Sequence, residues 1–208
     1  MNTNYNTVKD FYNEIADAYA EEEYMNNSLF EISKRFVSLF SKSPCILDIG
    51  CGAGYRSKEL NSFGAKVTGI DISERAIQIA KTRNPNSRFE VMDFMNMCDS
   101  LGFFDGIISV ATLMHIAESY LPVVFSQIGK RLKANGYLLL IVSDGNGELQ
   151  SFFNKTINNM QYEFINYFHN ECLLNNLAYK ENITLIEKWL LPEKYAQKGY
   201  KCYLYQKS

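Results

Sequence analysis

The stretch from Cys45 to Ser57, C-I-L-D-I-G-C-G-A-G-Y-R-S, constrains the fold more than any other part of the chain. It begins with an apolar run typical of a buried strand, continues through three glycines at alternate positions, and ends where residues 57–60 resemble the start of a helix. Glycine has no Cβ and tolerates positive φ, so a ligand can approach the backbone of such a loop closely. The following helix directs its free N–H groups and positive dipole end at that ligand. The stretch therefore predicts a strand, a ligand-binding loop and a helix.

The spacing of these glycines differs from that of a dinucleotide-binding loop. The pattern G-x-G-x-x-G needs a third glycine at position 55, where this chain has Tyr55. The loop is therefore a poor cradle for a pyrophosphate. This disfavours an NAD-dependent oxidoreductase, the activity that a strand, glycine loop and helix would otherwise also suggest.

Acidic and polar residues follow several further strand-like runs. The run 66–70 ends in Asp71, whose carboxylate could accept two hydrogen bonds from a ribose diol. The run 88–92 ends in Asp93 and Phe94, and 104–110 is followed by His115. The ends of parallel strands meet at one edge of a sheet, so these residues are expected to lie together.

Helical segments separate these runs. Ser73 is a suitable N-cap for a helix over 74–83, and another helical pattern covers 120–132 before an apolar strand at 138–142. The alternation of strand and helix predicts an α/β domain with a doubly wound parallel sheet. Two helices, about 8–20 and 28–40, precede this core.

Together these blocks resemble the class I S-adenosylmethionine-dependent methyltransferases, and the resemblance extends over residues 8–206. The matching blocks are Leu47–Gly54, Gly69–Asp71, Asp93–Phe94, Phe104–Ser109 and Leu132–Leu140. The resemblance implies a Rossmann-like, mostly parallel sheet of seven strands whose last strand is antiparallel. It also implies one domain over 1–208, with an N-terminal helical lid in 1–43, an α/β core in 44–208 and a mobile or family-specific insertion at about 144–163.

The resemblance further implies a cofactor, S-adenosylmethionine, which becomes S-adenosylhomocysteine on methyl transfer. Asp71 would bind the ribose, Asp93 and Phe94 the adenine, and Tyr19 the methionine part. Arg56 is a possible partner for the methionine carboxylate, although it could equally be an exposed helix residue. The expected cofactor-binding residues are Tyr19, Asp48, Gly50, Cys51, Gly52, Gly54, Asp71, Ile72, Asp93, Phe94, Ser109, Val110 and His115.

Methyl transfer from a sulfonium demands mainly that the reactants be positioned and water excluded. A general base is useful only if the acceptor must lose a proton. The chain has two histidines, and both are candidate catalytic residues. His115 would line the active site or be a hydrogen-bonded residue at a helix start, and His169 would face the substrate or be a half-exposed surface imidazole. Glu148 is a weaker candidate, and no residues have the spacing of a metal site.

The composition limits the possible partners. The formal net charge is −2, which provides no basic surface for nucleic acid or anionic membrane. The five cysteines form no C-x-x-C pair and are expected to be reduced thiols of a cytoplasmic protein. The N-terminus does not resemble a signal peptide, and the apolar runs are too short to span a bilayer. The sequence does not indicate an oligomeric state.

The predicted function is therefore methyl transfer to a nitrogen, oxygen or carbon atom of a small-molecule acceptor by in-line attack. The 14 phenylalanines and 14 tyrosines favour a small-molecule site. The family's N-P-P-Y/F motif for amino groups of bases or glutamine is replaced by S-V-A-T at 109–112. The alternatives are a methyltransferase acting on RNA or protein and a non-catalytic domain that binds S-adenosylmethionine.

Overall fold

The computed structural model describes residues 3–24, 29–144, 147–191 and 199–208. The strands are β1 Cys45–Ile49, β2 Lys66–Asp71, β3 Arg88–Val91, β4 Phe104–Val110, β5 Leu132–Ser143, β6 Gln150–Ile157, β7 Met160–Tyr167, β8 Ile183–Leu191 and β9 Tyr200–Lys207. The α-helices are α1 Thr3–Tyr24, α2 Phe30–Ser38, α3 Tyr55–Ser62, α4 Glu74–Arg83, α5 Leu121–Arg131 and α6 Glu171–Lys180. Short 3₁₀ turns occupy Asp99–Leu101, Leu113–His115 and Glu118–Tyr120.

The main sheet has seven strands in the order β3-β2-β1-β4-β5-β9-β8. The first five are parallel, whereas β9 runs antiparallel to both β5 and β8. The predicted doubly wound, mostly parallel sheet is confirmed. The strand order reverses between β1 and β4, and open α/β sheets bind ligands outside the carboxyl ends of the strands at such a reversal.

Both faces of the sheet are covered, which explains the nearly continuous apolar runs of its central strands. Leu47, Ile49 and Ile107 belong to a buried cluster on one face, and Ile46 and Ile108 belong to the cluster on the other. The central strands are thereby fixed rigidly, and their carboxyl ends can serve as a support for a binding site. In the described part of the chain, no helix is long and apolar enough to cross a membrane.

The polar segment at about 144–163 was expected to be a mobile or family-specific insertion, and most of it belongs to a hairpin. Strands β6 and β7 pair antiparallel, and Asn158 and Asn159 connect them with φ of 48° and 64°. Two such residues are typical of a type I′ turn. On β7, Tyr162 and Phe164 are buried while the alternate positions are more exposed, so the polar composition reflects an outer face. The predicted bounds of lid and core stay a prediction.

Helix α1 begins and ends further out than the predicted helix over 8–20, and it packs on the hairpin. Phe11 lies among three hairpin rings at centroid distances of 4.8 to 5.6 Å, those of Phe153, Tyr162 and Phe164. The side-chain amide of Asn4 donates to the carbonyl of Ile165 at 3.2 Å and accepts from its N–H at 2.6 Å. The hairpin and α1 therefore form one packed unit above the sheet.

A second face of α1 contacts α4 through polar side chains at four-residue intervals. Lys9 pairs with Glu74 at 2.9 Å, and Asp17 accepts from the guanidinium of Arg75 at 2.6 and 2.8 Å. Between these pairs, the Asn13 side-chain oxygen accepts from the Ser73 hydroxyl at 2.8 Å. Most of these side chains are exposed, so each pair contributes little individually. Together they define the orientation of α1 across the carboxyl edge of the sheet.

Candidate functional site

A cavity of about 240 Å³ lies at the carboxyl ends of β1, β2 and β4, beneath α1. It occupies the place where the strand order reverses, as expected for an open α/β sheet. Eight of the residues predicted for the site line it: Tyr19, Gly50, Gly52, Asp71, Ile72, Phe94, Val110 and His115. The structure therefore brings together residues from five separate parts of the sequence.

Asp71 connects the glycine loop to the start of α4. The N–H of Gly52 donates to one carboxylate oxygen at 2.9 Å, and the N–H of Ser73 donates to the other at 2.8 Å. Burial raises the pKa of Asp71, and these hydrogen bonds act in the opposite direction. A carboxylate oxygen can accept more than one hydrogen bond, so both retain capacity for a ligand hydroxyl. Of the described residues that line the cavity, Asp71 alone carries a charged side chain.

The glycines at 50 and 54 are required by close contacts within the protein. Gly50 has φ +71°, and a Cβ there would lie 2.1 Å from the Thr112 hydroxyl. Gly54 has φ +82°, and a Cβ would lie 2.7 Å from the Asn84 amide nitrogen, which donates to the Gly54 carbonyl. The Cys51 side chain packs into an apolar cluster beside α4. Gly54 and Cys51 thus lie on the side of the loop that packs against α4, and they do not line the cavity.

Asp48 and Ser109 are buried behind the cavity wall. Asp48 accepts from the Ser57 hydroxyl at 2.7 Å, and burial raises the pKa of its carboxyl group to about 6. This hydrogen bond connects the end of β1 to α3 and supports the loop between them. Arg56 forms an ion pair with Glu59, so it is not placed to bind a ligand carboxylate in the cavity.

Asp93 does not line the cavity, but the adjacent Phe94 does. The Asp93 carboxylate accepts from the Tyr5 hydroxyl at 3.0 Å and from the N–H of Met95 at 2.8 Å. Tyr5 itself lines the cavity and packs edge-on against Phe94, with ring centroids 6.4 Å apart. Burial and the neighbouring Asp93 raise the pKa of the Tyr5 phenol. Tyr5 was missed in the sequence because the predicted helix began at residue 8.

The third face of α1 forms the roof of the cavity. Its lining residues recur every three or four positions: Tyr5, Val8, Tyr12, Ala16 and Tyr19. The Tyr12 and Tyr19 rings meet edge to face with centroids 6.0 Å apart, and Tyr19 is 38% exposed. Tyr12 reaches across the cavity, where its hydroxyl lies 3.1 Å from Nε2 of His115.

His115 belongs to the 3₁₀ turn that follows β4, and only 9% of the residue is exposed. Burial lowers the pKa of its imidazole to about 4, although the nearby Asn166 amide opposes part of this effect. The ring is therefore neutral at neutral pH. Phe164 from the hairpin contacts it edge-on, with centroids 5.7 Å apart. His115 thus presents an uncharged nitrogen to the cavity.

His169 supports the same turn from the other side. Its Nε2 lies 2.8 Å from the Leu113 carbonyl, which can only accept, so Nε2 carries the proton. The residue is buried, and burial lowers its pKa. It does not line the cavity, and neither does the exposed Glu148. This placement does not support the role as a base that was predicted for His169.

Further lining residues come from the ends of β4, β5 and β9. They are Ala111, Thr112, Met114, Ser143 and Tyr200. Thr112 and Ser143 come just after the strand-like runs 104–110 and 138–142. The rule that ligands bind at the carboxyl ends of strands could therefore have identified them. Tyr200 begins an antiparallel strand, and its arrival at the same edge depends on the topology of the sheet. In the described residues, no group of three or more histidine, cysteine or acidic side chains could hold a metal ion.

The family described as "Methyltransferase domain" matches residues 21–188. The magnesium-protoporphyrin O-methyltransferase of Rhodobacter capsulatus is 35% identical over 89 residues, 41% of this chain and 40% of its own length. The ubiquinone biosynthesis O-methyltransferase of Nitrosococcus oceani is 31% identical over 118 residues, 54% of this chain and 48% of its own. The chain therefore spans half or less of the length of these two relatives.

Among solved structures, the magnesium protoporphyrin IX methyltransferase of Synechocystis PCC 6803 with bound S-adenosylmethionine superposes with a TM-score of 0.76. The superposition covers 100% of this chain and 99% of the other at 15% identity. At this identity, the likeness shows a shared fold.

Proposed function

This chain belongs to the family of methyltransferase domains, and on that premise we propose that it transfers the methyl group of S-adenosylmethionine to a small-molecule acceptor. One observation carries the proposal. A single cavity has the glycine loop, Asp71 and Phe94 in one part of its wall and the Tyr12–His115 pair in another. The first group could bind a nucleoside, and the second could take a proton from the methyl acceptor.

The residues present fit the cofactor. The Asp71 carboxylate can accept further hydrogen bonds, as a ribose diol requires, and Phe94 offers an aromatic ring for the adenine. The glycine loop brings backbone to the cavity wall at Gly50 and Gly52. When bound, S-adenosylmethionine supplies a methyl group already activated by its positive sulfur.

The protein itself contributes position and exclusion of water. Helix α1 covers the cavity with apolar and aromatic side chains and is attached to both α4 and the hairpin. A covered cavity keeps water away from the reacting atoms and holds the acceptor in line with the methyl group.

The chemistry of the wall indicates the class of acceptor. No lysine or arginine is present among the described residues that line the cavity, so nothing there matches an anionic acceptor. Aromatic walls and the Tyr12–His115 pair favour a neutral, flat molecule with an ionisable O–H. Such a proton becomes acidic as the new bond to carbon forms, so an imidazole of low basicity at His115 can receive it. The two relatives named above are also O-methyltransferases.

The proposal is tested with S-adenosylmethionine and a panel of phenols, with release of S-adenosylhomocysteine as the readout. His115→Gln should lower kcat about 100-fold, as expected when a general base is lost, and leave the affinity for S-adenosylmethionine nearly unchanged. His169→Gln is the matched control and should lower kcat much less. Binding of NADH in place of S-adenosylmethionine would overturn the proposal. Binding of S-adenosylmethionine without turnover of any acceptor would support the non-catalytic alternative.

A further inference from the structure

The inner face of β7 contains one polar residue in an otherwise aromatic row. Tyr162, Phe164 and Asn166 occupy alternate positions, which point to the same side of a strand. Tyr162 and Phe164 pack on α1 and its surroundings, and Phe164 touches the His115 ring. Asn166 therefore directs an amide toward the same region as the imidazole.

Two buried polar atoms on these residues have no partner in the part of the chain that the structure describes. They are Nδ1 of His115 and Oδ1 of Asn166. The Asn166 amide nevertheless influences the imidazole, since it opposes the lowering of the His115 pKa by burial. A buried polar atom without a hydrogen bond is unfavourable, so pairing these two atoms with each other would be stabilising.

The other ring nitrogen of His115 is already engaged. Its Nε2 lies 3.1 Å from the Tyr12 hydroxyl, on the cavity side of the ring. The Tyr12 phenol therefore occupies one ring nitrogen of His115, and Nδ1 is the nitrogen left for the Asn166 amide. Tyr12 on α1 is the titratable side chain that contacts the ring, and Phe164 and Asn166 on β7 carry no charge.

We propose that Asn166 is a positioning residue that accepts the Nδ1–H of His115 and so holds the Nε2 lone pair toward the cavity, where the Tyr12 hydroxyl can donate to it. A carbonyl oxygen can only accept a hydrogen bond, so Nδ1 must carry the proton of the neutral ring. Nε2 then has the lone pair and accepts hydrogen bonds. The catalytic consequence rests on the proposed function, whereas the tautomer does not. The inference also gives the hairpin a role in catalysis, because it delivers Asn166 to the back of the ring.

The tautomer can be measured directly, without cofactor or substrate. The chain has two histidines, so a long-range proton–nitrogen NMR spectrum of the full chain shows two imidazoles, and His169→Gln assigns them. We expect His115 protonated on Nδ1 and His169 protonated on Nε2, the latter because of the Leu113 carbonyl. His115 protonated mainly on Nε2 would mean that the Asn166 amide has the opposite orientation, which would overturn the proposal.

Substitution of Asn166 then separates positioning from packing. In Asn166→Leu, His115 should lose its preference for the Nδ1–H form and kcat should fall about 10- to 100-fold, while the KM for S-adenosylmethionine changes little. Asn166→Asp should keep the Nδ1–H form, restore part of kcat, and move the acidic limb of the pH profile upward, because a carboxylate favours the protonated ring. Asn166→Ala serves as a second variant if Leu disturbs the hairpin.

The matched control is Asn154→Leu, an exposed asparagine of the same hairpin whose amide donates to Glu163 at 2.9 Å. It should change neither the tautomer nor kcat. If Asn166→Leu lowers kcat with the Nδ1–H form of His115 intact, Asn166 supports packing alone and the proposal fails. If the tautomer responds as expected but no variant methylates any acceptor, the proposed function fails and the Asn166–His115 interaction stands.

Discussion

Replacing Asp71 with asparagine should weaken the binding of S-adenosylmethionine far more than it weakens the fold. One carboxylate oxygen of Asp71 accepts the N–H of Gly52 and the other accepts the N–H of Ser73, and we expect each oxygen to accept a ribose hydroxyl as well. Asparagine keeps one acceptor oxygen and places an NH₂ group where the other oxygen was. One ribose hydrogen bond is then lost, and the remaining one no longer involves a charge.

The magnitude follows from these two changes. A hydrogen bond to a charged group contributes about 1.5 to 3 kcal/mol, and a neutral one about 1 kcal/mol. The loss is therefore about 3 kcal/mol, which corresponds to a Kd for S-adenosylmethionine about 100-fold higher. The free energy of unfolding should change less. The variant leaves the N–H of Gly52 or Ser73 without its acceptor, but it also removes a carboxylate whose charged form is disfavoured by burial, as its raised pKa shows.

The assay is calorimetric titration of both proteins with S-adenosylmethionine, combined with urea unfolding. Asp105→Asn provides a matched control, because Asp105 also accepts a backbone N–H, that of Cys45 at 2.8 Å, but at the opposite end of the strands. This control should lose stability and keep its Kd within about twofold, as expected for a distant site. Equal binding by Asp71→Asn and the natural protein, or equal weakening by both variants, would refute the assignment of Asp71 to the ribose.

Two further predictions concern stability. Asp48 has a folded pKa of about 6 against an ordinary value of 3.8, so the native state binds the extra proton and its stability should fall by about 3 kcal/mol as the pH rises from about 4 to 6. Asp48→Asn should remove this fall, so the variant should have a higher free energy of unfolding than the natural protein at pH 7.5 but not at pH 4. Urea unfolding of both proteins at each pH measures the difference. The same pH dependence in both proteins would contradict the prediction. Phe11→Ala should cost about 3 to 4 kcal/mol and speed hydrogen exchange in α1, because a buried ring is removed from the hairpin cluster. Phe152→Ala, at a hairpin ring that is 79% exposed, should stay within about 0.5 kcal/mol, and similar losses in both variants would contradict the packing described.

The sheet and the cavity residues at the carboxyl ends of its strands could be predicted because they follow from local rules. Residues at the carboxyl ends of parallel strands meet at one edge of the sheet, and this rule predicted that Asp71, Phe94 and His115 lie together. Local capping chemistry likewise fixed the start of α4, where the Ser73 hydroxyl accepts from the N–H of Ala76.

The hairpin was missed although its turn has a sequence signal. Asn158 and Asn159 are suited to the positive φ of a type I′ turn, but the surrounding polar residues suggested a loop. Polar residues on one face and aromatic residues on the other are typical of a strand pair covering a second element. The alternation of Tyr162 and Phe164 with exposed residues was the signal available.

The pairings made by α1 could not be predicted, because they depend on how a helix docks on distant elements. The sequence separates Tyr5 from Asp93 and Tyr12 from His115, and no local pattern connects the members of either pair. The same limit applied to the two histidines. Both occur near aromatic residues, and only the path of the chain shows that one faces the cavity while the other supports the turn behind it.

One helix therefore contacts both groups of site residues at once. Tyr5 hydrogen-bonds to Asp93 beside Phe94, and Tyr12, on the same face of α1, hydrogen-bonds to His115. Seven residues of helix rise about 10 Å, so α1 contacts the wall near Asp93 and the wall at His115 about two helical turns apart. A movement that lifts α1 breaks both hydrogen bonds together and opens both positions to solvent. On the proposed function, we therefore expect cofactor entry and the presentation of His115 to the acceptor to depend together on the docking of this helix, which contacts both α4 and the hairpin.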